Sequence, residues 1–417
     1  MQIFDPADFA EEWERAVEIY CWATGLEAQA FYQATNLAKL PFIFKHMCVM
    51  ADGHSGYGMP IGGVAAFHDV IIPNAVGLDI GCGMGFVLTN RSIYDWPQEE
   101  LPELLKKIVH SIKRSVPVGM NVHRAAKNWE GFRNYLKSID DERDTPGWFS
   151  EKKWDRALKS IGTLGGGNHF IEIQKVHDPS AKIGIMVHSG SRNLGKCIAE
   201  YYHEKAKMMC ERWHSRLPHK DLAFLPVDSR LGQAYIRDMN FALDFAEENR
   251  RRMMSVARQQ FEYYTGEETE FVEEINIHHN YAALEHHMGK NVWVHRKGAT
   301  SAKAGQLGII PGSMGSSSYI VIGKGNPLSF ESCSHGAGRR MSRTEASMSL
   351  KETDCWADMG NVVFDGFGTV SRGRAKGNPD LGEAPAAYKD IDEVIENQRD
   401  LVEVRTKLKP LAVVKGD

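Results

Sequence analysis

The sequence lacks the cysteine pattern of a disulfide scaffold or a zinc ribbon. Its seven cysteines are scattered and odd in number, and no two of them form a Cys-x-x-Cys motif. In a chain of 417 residues this pattern is typical of a reducing compartment. We therefore expect a cytoplasmic protein without a disulfide framework.

Long apolar runs are also absent. The sequence contains no stretch of about 18 apolar residues, the length that a membrane-spanning helix needs. Residues 1–5 lack the basic and apolar regions of a signal peptide. These absences predict a protein with no signal peptide and no membrane partner.

A general excess of positive charge is the third missing feature. The formal net charge is −4 and the isoelectric point is near 6.5, whereas many nucleic-acid-binding proteins are basic. Any contact with RNA or DNA must therefore come from a local basic cleft. The densest basic cluster of the chain is Asn249-Arg250-Arg251-Arg252.

Glycine, in contrast, is abundant, with 39 residues that often stand in short clusters. Such clusters are typical of tight turns and of loops that meet a ligand. Between them, hydrophobic periodicity indicates both helices and short strands. The pattern predicts a single α+β domain over residues 1–417, in which glycine-rich loops at strand ends converge on one cleft.

The periodicity also assigns individual segments. Helices are expected over residues 7–38, 99–116, 194–215 and 230–264, and strands over 42–50, 70–73, 76–80, 170–173, 183–187, 292–294 and 319–321. Residues 1–40 are thus predicted to be a helical N-terminal segment. The polar residues 119–155 have little periodicity, so we expect a surface excursion there.

The most informative motif spans residues 332–343. It places His335 in a loop of small residues and glycines, followed by Arg339 and Arg343. Such a loop lets a phosphate approach the backbone, and arginine can grip phosphate oxygens in pairs. His335 could be a metal ligand, a proton shuttle or a nucleophile toward phosphorus. The alternative is an ordinary surface histidine in a turn.

Several other loops carry possible metal ligands. Asp79 and Cys82 stand three apart on a glycine-rich turn, and Asp52-Gly53-His54 follows an apolar run. A carboxylate and a thiolate together suit borderline metals such as Mn, Zn, Fe or Co, although a buried structural cysteine is an alternative. Strand-end histidines at 169, 188 and 278–279 supply further donors. Together these residues are sufficient for one or two divalent cations.

Two more loops concern nucleotide binding. Residues 311–318 are small and rich in hydroxyl groups, so they could hold a phosphate or a base edge, with Arg296 and Lys297 adding positive charge upstream. Residues 190–197 nearly match the phosphate-loop pattern GxxxxGK[ST], but Cys197 replaces the hydroxyl residue that binds magnesium. A P-loop NTPase is therefore not indicated.

Taken together, these segments resemble the RtcB-type RNA ligases. The resemblance extends from about residue 40 to residue 415, and its motifs are at 77–84, 164–172, 188–192, 278–281, 296–299, 311–315 and 334–343. It implies an enzyme that joins an RNA 2′,3′-cyclic-phosphate or 3′-phosphate end to a 5′-hydroxyl end with GTP and two Mn²⁺ ions. His335 would be the nucleophile that takes up GMP.

The resemblance also implies roles for individual residues. The matching metal ligands are Asp79, Cys82, His169, His188 and His279. The matching guanylate-binding residues are Asn168, His169, Glu172, His279, Asn280, Pro311, Gly312, Ser313, Met314, Ser318, His335, Gly336, Ala337, Gly338 and Lys415. The residues expected near the RNA or its phosphate are Asp52, His54, Arg192, Arg339 and Arg343.

The sequence departs from the family pattern at some positions, and other functions stay open. Gly53 stands where the family usually has a hydrophobic residue inside Asp-x-His, which affects the rim that would face RNA. A role in RNA repair is therefore as open as one in tRNA splicing, as is the need for an archease-like activator. A metal-dependent phosphoesterase acting on cyclic-phosphate ends is the alternative enzyme, and a non-catalytic RNA- or nucleotide-binding protein is the third hypothesis.

Overall fold

The computed structural model describes residues 1–10, 15–139, 145–266 and 268–416. The strands in these ranges are β1 (Gln2–Phe4), β2 (Glu18–Cys21), β3 (Ile43–Tyr57), β4 (Met59–Phe67), β5 (Val70–Ile71), β6 (Gly83–Ser92), β7 (Phe170–Val176), β8 (Lys182–Ser189), β9 (Leu225–Pro226), β10 (Phe271–His278), β11 (Asn280–His287), β12 (Lys290–Lys297), β13 (Ala299–Ser301), β14 (Leu307–Ile310), β15 (Ser318–Gly323), β16 (Ser332–Ser334) and β17 (Val402–Lys415). The α-helices are α1 (Ala28–Ala38), α2 (Pro73–Val76), α3 (Leu101–Ser115), α4 (Glu130–Ser138), α5 (Glu151–Ser160), α6 (Arg192–Arg212), α7 (Arg230–Thr265), α8 (Arg343–Ser349), α9 (Glu352–Met359) and α10 (Ile391–Asn397).

Two large sheets organise these strands. One has the order β1-β2-β3-β4-β12-β11, and the other has the order β10-β6-β8-β7-β17-β15-β14. The pairs β5-β9 and β13-β16 form two short ribbons. Within the large sheets β2 and β3 pair in parallel, and the remaining neighbours pair antiparallel. This mixture of sheets and helices confirms the α+β prediction.

Helices α3 and α7 cover one face of the seven-stranded sheet. Ile108 and Ile112 of α3 recur at helical spacing and are fully buried, together with Met253 and Phe261 of α7. They pack in one cluster with strand residues such as Ile185. An apolar stripe of this spacing buries one helix face against a sheet, so the predicted helices at 99–116 and 230–264 are confirmed.

The predicted N-terminal helix is wrong over most of its length. Residues 2–4 and 18–21 are strands, and helix α1 begins only at Ala28. Ile19 and Cys21 are buried while Glu18 and Tyr20 are half-buried, which is the two-residue alternation of a strand. Parallel pairing with β3 therefore outweighs the helical spacing of apolar residues. Trp13, part of that spacing, lies outside the described residues.

The predicted strand over residues 76–80 is also wrong. Helix α2 ends at Val76, and a turn follows with left-handed backbone at Gly77 and Gly81, where φ is 99° and 75°. Glycine adopts this conformation without steric cost, whereas other residues rarely do. The glycines thus convert an apolar run into the turn that presents Asp79.

The segment 119–155 is not a surface excursion. It contains α4, and its buried Phe132, Tyr135 and Trp148 pack against α6 and α7. The hydroxyl of Tyr135 and the indole N–H of Trp148 donate to the buried carboxylate of Asp238, at 3.0 and 2.7 Å. Residues 140–144 lie outside the described part of this segment. Aromatic burial therefore organises a segment whose sequence is mostly polar.

The structure also bears on the expectations about membranes and disulfides. No helix among the described residues is long and apolar enough to cross a membrane. All seven cysteines are free thiols. The prediction that they form no disulfide framework is confirmed.

Candidate metal and nucleotide site

A cluster of thiol and imidazole groups lies where the glycine turn after α2 meets strands β7 and β8. The Cys82 sulfur is 3.5 Å from Nε2 of His169 and 3.3 Å from Nε2 of His188. All three side chains are buried, and their ligand atoms lie within 4.8 Å of one another. Three such donors around one point are the geometry of a metal site.

Backbone carbonyls orient both imidazole rings. His169 donates from Nδ1 to the carbonyl of Leu164, and His188 donates from Nδ1 to the carbonyl of Asn168, each at 3.0 Å. Each ring therefore directs Nε2 toward Cys82, as ligating histidines usually do. Burial and the neighbouring histidines hold the pKa of His188 well below its usual value, so this ring is neutral and able to coordinate a cation.

Two further atoms fit a divalent cation. Oδ1 of Asp79 and Nδ1 of His279 are buried and have no hydrogen-bond partner among the described residues. The other oxygen of Asp79 lies 3.1 Å from Nε2 of His169, and the ring of His279 lies 5.2 Å from that of His188. Unpartnered buried polar atoms are costly unless a ligand satisfies them. The mixed O, N and S donor set suits a borderline metal.

Helix α7 fixes the loops that carry these donors. Arg250 is fully buried and donates to the carbonyls of Gly81 and Ser189, at 2.8 and 2.9 Å. It also reaches Nδ1 of His278 at 3.0 Å. The guanidinium thus joins the Cys82 turn, the end of β8 and the end of β10. In the sequence this arginine stands out only as part of a basic cluster, and no motif indicates this positioning role.

The residues next to Arg250 in sequence also form hydrogen bonds or ion pairs within the protein. The Asn249 side chain accepts from the backbone N–H groups of Gly162 and Thr163 and donates to the carbonyl of Gly190. Arg251 and Arg252 form ion pairs with Glu248 of the same helix, through the contacts Arg251 Nε–Glu248 Oε2 and Arg252 Nε–Glu248 Oε1, at 2.5 and 2.6 Å. The densest basic cluster in the sequence is therefore largely committed to the protein itself.

His335 is held by a buried carboxylate next to this cluster. Its Nδ1 donates to Oδ2 of Asp52 at 2.6 Å, and the backbone N–H groups of His335 and Gly336 donate to the same oxygen at 3.1 and 3.2 Å. Burial raises the pKa of Asp52, but the charge and hydrogen bond of His335 outweigh it, so the pKa lies below its usual value. The ring of His335 lies 4.7 Å from that of His279. Asp52 therefore fixes the tautomer that leaves Nε2 of His335 as the acceptor nitrogen.

His335 opens onto a cleft that collects most of the predicted nucleotide-binding loops. Its lining includes the predicted residues His54, Asn168, His188, Pro311, Gly312, Ser313, Met314, His335, Gly336, Ala337, Gly338, Arg339, Arg343 and Lys415. Phe170, Glu383 and Tyr388 also line it; Phe170 lies inside the 164–172 motif, whereas no motif contains the other two. Residues far apart in sequence thus meet around one histidine.

Glu383 is the residue on which the basic groups of the cleft converge. It accepts from Lys415 at 3.1 Å, Arg343 at 2.7 Å and Arg339 at 3.3 Å. Burial opposes ionisation, but Lys415 and Arg343 outweigh it and hold the pKa of Glu383 at about 2. No sequence motif marks this glutamate, because its partners lie 32 to 44 residues away along the chain.

Other predicted guanylate-binding residues lie behind the cleft wall. Glu172 is buried and accepts from Gln174, which also donates to Ser318 at 3.1 Å. Ser318 in turn accepts from the backbone N–H of Gly312 at 3.2 Å, so this chain of contacts supports the 311–314 loop. Asn280 accepts from Gly298 at 2.7 Å and donates to the carbonyl of Asp79 at 3.1 Å. His169 belongs to the cluster with Cys82 and His188, and the His279 ring packs against that of His188; neither His169 nor His279 lines the cleft.

The residues predicted to contact RNA have different environments. Arg192 donates to Thr163 at 3.1 Å and to the carbonyl of Gly119 at 2.8 Å. Arg339 is bound to Glu383 and Tyr388, whereas the Arg343 side chain is 50% exposed. His54 lines the cleft and donates from Nδ1 to the carbonyl of Asp52 at 2.9 Å. Of the three arginines, Arg343 is the most accessible to an incoming phosphate.

The chain is similar to known proteins over the whole region that contains the site. A family model described as "tRNA-splicing ligase RtcB" matches residues 33–416. The RNA-splicing ligase RtcB of Escherichia coli K12 is 40% identical over 410 residues, covering 95% of this chain and 96% of the relative. The tRNA-splicing ligase RtcB of Nanoarchaeum equitans is 34% identical, covering 94% of this chain and 92% of that protein. The RNA-splicing ligase RtcB of Mycobacterium tuberculosis is also 34% identical, covering 92% and 100%.

Proposed function

Because this chain belongs to the RtcB family, we propose that it is an RNA ligase that seals broken RNA through a histidine–GMP intermediate. It joins a 2′,3′-cyclic-phosphate or 3′-phosphate end to a 5′-hydroxyl end, with GTP and Mn²⁺. The observation that carries the proposal is His335, which Asp52 orients at the mouth of a cleft beside a buried Cys/His cluster.

The arrangement of His335 suits attack on phosphorus. With Nδ1–H donated to Asp52, Nε2 carries the lone pair that forms a bond to the α-phosphorus of GTP while the bond to pyrophosphate breaks. The buried Asp52 carboxylate stabilises the positive charge that develops on the ring. Water first opens a 2′,3′-cyclic phosphate to a 3′-phosphate, and an oxygen of that 3′-phosphate then takes GMP from His335 as the bond between Nε2 and phosphorus breaks. Finally the 5′-hydroxyl attacks the activated 3′-phosphorus, loses its proton and releases GMP.

The metal-type residues fit an electrostatic role in this chemistry. Asp79, Cys82, His169, His188 and His279 would hold Mn²⁺, with two ions expected from the family resemblance. When bound, the ions offset the negative charge on the phosphoryl oxygens and on the leaving group. Arg250 keeps the donor loops in place from behind. Calorimetric titration with Mn²⁺ gives the number of ions and tests this expectation.

The cleft beside His335 suits the guanylate. The 311–314 loop lies against one side of the cleft, with Ser313 held by Ser316, and residues 335–338 form another part of its lining. Lys415 lies between Glu383 and the Phe170 ring, 5.7 Å from the ring centroid, so its ammonium faces the cleft. Backbone N–H groups and a fixed cation are the groups that bind a phosphate and a base edge.

A metal-dependent phosphoesterase is the second candidate, because a cation held by the Cys/His cluster would also supply activated water for opening a cyclic phosphate. The coupling of Asp52 to His335 favours the ligase. Hydrolysis of an RNA end needs no nucleophilic histidine with a buried carboxylate behind it.

The deciding experiment is incubation with α-³²P-GTP and Mn²⁺, followed by denaturing electrophoresis. We expect a labelled protein band that is stable in alkali and labile in acid, and that is absent from His335→Ala. The matched control is His286→Ala, which changes an exposed histidine outside the cleft. Labelling that persists in His335→Ala contradicts the nucleophile assignment. An unlabelled wild-type protein that opens a 2′,3′-cyclic phosphate favours the phosphoesterase.

The cellular setting follows from the same proposal. An archease-like activator and a cytoplasmic location stay predictions. The first is tested by measuring turnover with and without a candidate activator, and the second by imaging the tagged protein in cells. Ligation assays with cleaved tRNA halves and with other broken RNAs distinguish splicing from repair.

A further inference from the structure

A groove beside the catalytic cleft has the chemistry of a single-stranded RNA site. We propose that this groove and the hairpin at its edge, residues 368–380, bind the RNA strand next to its reacting end. The groove shares Met314, Arg343, Glu383 and Lys415 with the cleft around His335. A strand whose end lies at His335 can therefore continue into the groove. This inference rests on the proposed RNA ligase function.

The hairpin is an ordered element. Val370 donates to the carbonyl of Asn378, and Gly377 donates back to that of Val370, both at 2.9 Å. Asp380 donates to the carbonyl of Gly368 at 2.8 Å. The Asn378 side chain donates to the carbonyl of Ser347 in α8 at 2.9 Å, which ties the hairpin to the body of the protein. Residues 371–376 form its tip.

The tip presents three cations for which the described residues supply no partner. Arg372, Arg374 and Lys376 are exposed, and no described residue forms an ion pair or a side-chain hydrogen bond with any of the three. Arg372 lines the groove itself. The spacing of alternate residues places three positive charges within one short tip. In a chain of net charge −4, such unpaired cations beside the cleft complement a phosphodiester backbone.

The acidic side chains that line the groove with Arg372 have partners other than the tip cations. Lys113 on the groove wall forms an ion pair with Asp365 at 2.6 Å, and Glu383 is saturated by the cations of the cleft. Asp380 accepts from the backbone N–H of Gly382 at 3.3 Å. Arg343 adds a half-exposed guanidinium where the groove meets the cleft.

Aromatic rings complete the groove. Phe364 and Phe367 line it, their ring centroids lie 5.3 Å apart, and the ring of Trp356 lies 4.8 Å from that of Phe364. Trp356 is 46% exposed. Stacking platforms combined with a basic track bind single strands without reading their sequence. The groove therefore fits an unpaired RNA segment of any sequence.

The test compares two triple variants of the full-length protein. Arg372→Ser/Arg374→Ser/Lys376→Ser removes the tip charges, and Lys45→Ser/Lys290→Ser/Lys303→Ser removes three charges from exposed lysines that line neither the cleft nor the groove. Fluorescence anisotropy measures binding of a single-stranded RNA of about 12 nucleotides with a 3′-phosphate, over a range of salt concentrations. Self-labelling by α-³²P-GTP and thermal melting are measured alongside.

We expect the tip variant to bind RNA about 10- to 100-fold more weakly at 0.1 M salt, with the salt slope reduced by about 2, because each single-strand phosphate contact contributes about 0.7. Its self-labelling and melting temperature should equal those of the lysine control. Equal RNA affinity and slope in both triple variants would overturn the proposal. Loss of self-labelling in the folded tip variant would also overturn it, because the cations would then serve GTP. If the wild type is never labelled by GTP but the salt slope of RNA binding is still reduced in the tip variant, the proposed ligase mechanism is wrong and the RNA-binding groove is supported.

Discussion

The contact between Asp52 and His335 allows a quantitative test of the mechanism. In Asp52→Asn an amide oxygen can still accept the three N–H groups that converge on Oδ2, so the fold and the histidine tautomer are retained. The variant removes only the negative charge behind the ring. We therefore expect normal folding and a large loss in the rate of GMP transfer.

The size of that loss follows from the burial of Asp52, whose side chain is fully excluded from solvent. A charge-assisted hydrogen bond is about twice as strong as a neutral one, and a fixed charge aimed at a reacting group contributes about 3 kcal/mol. Since 1.36 kcal/mol corresponds to a factor of ten, the rate should fall by about 10².

The assay is single-turnover labelling with α-³²P-GTP at saturating Mn²⁺, so that binding does not limit the rate. The control is Asp400→Asn, which removes an exposed carboxylate that accepts from the Trp22 indole outside the cleft. A labelling rate in Asp52→Asn within about threefold of the wild type would refute the charge argument. Asp52→Ala should also melt at a lower temperature, because it leaves three donors without an acceptor.

Three further predictions concern the metal donors and the buried acid. Cys82→Ala or His188→Ala should weaken Mn²⁺ binding at least about tenfold in calorimetry, whereas Cys355→Ala should not; unchanged affinity contradicts the ligand assignment. Arg250→Lys should lower the affinity by about tenfold, because a single ammonium nitrogen cannot bind the two loop carbonyls and also replace Nη2 at His278 and Nε at Asn276, while Arg251→Lys serves as its surface control. Burial raises the pKa of Glu172 from 4.5 to about 8, so the folded state holds this proton more tightly, and the resulting stability is lost as pH rises from 4.5 toward 8. Between pH 4.5 and 7 the unfolding free energy of the wild type should therefore fall by about 3 kcal/mol more than that of Glu172→Gln, whose side chain does not titrate. Parallel curves of unfolding free energy against pH for the two proteins would contradict this.

The sequence was sufficient to predict the family and the grouping of three candidate metal donors. Comparison with known proteins confirms the resemblance to RtcB-type ligases over residues 33–416. The structure brings Cys82, His169 and His188 together, as their motifs indicated. These predictions succeed because each donor lies in a short glycine-rich loop next to an apolar strand, which is a local pattern. The domain organisation and the catalytic, metal, guanylate and RNA roles of individual residues stay predictions.

The local patterns failed where long-range packing decides. The apolar spacing in residues 7–38 suggested a helix, but Ile19 and Cys21 pair with β3. The polar composition of residues 119–155 suggested a surface loop, but Trp148 is buried against α6 and α7. In both cases a partner element far along the chain outweighs the local propensity.

The sequence by itself determined which chemical groups the protein has: a histidine in a phosphate-type loop, borderline metal donors, and arginines able to grip phosphate. Only the tertiary structure decided which charges are free to act. It buries Arg250 against two carbonyls, saturates Glu383 with three cations, and leaves Arg372, Arg374 and Lys376 without an ion-pair partner in the part of the chain that the structure describes. Charge is a property of the residue, but its availability depends on burial and on partners that folding brings from distant parts of the chain.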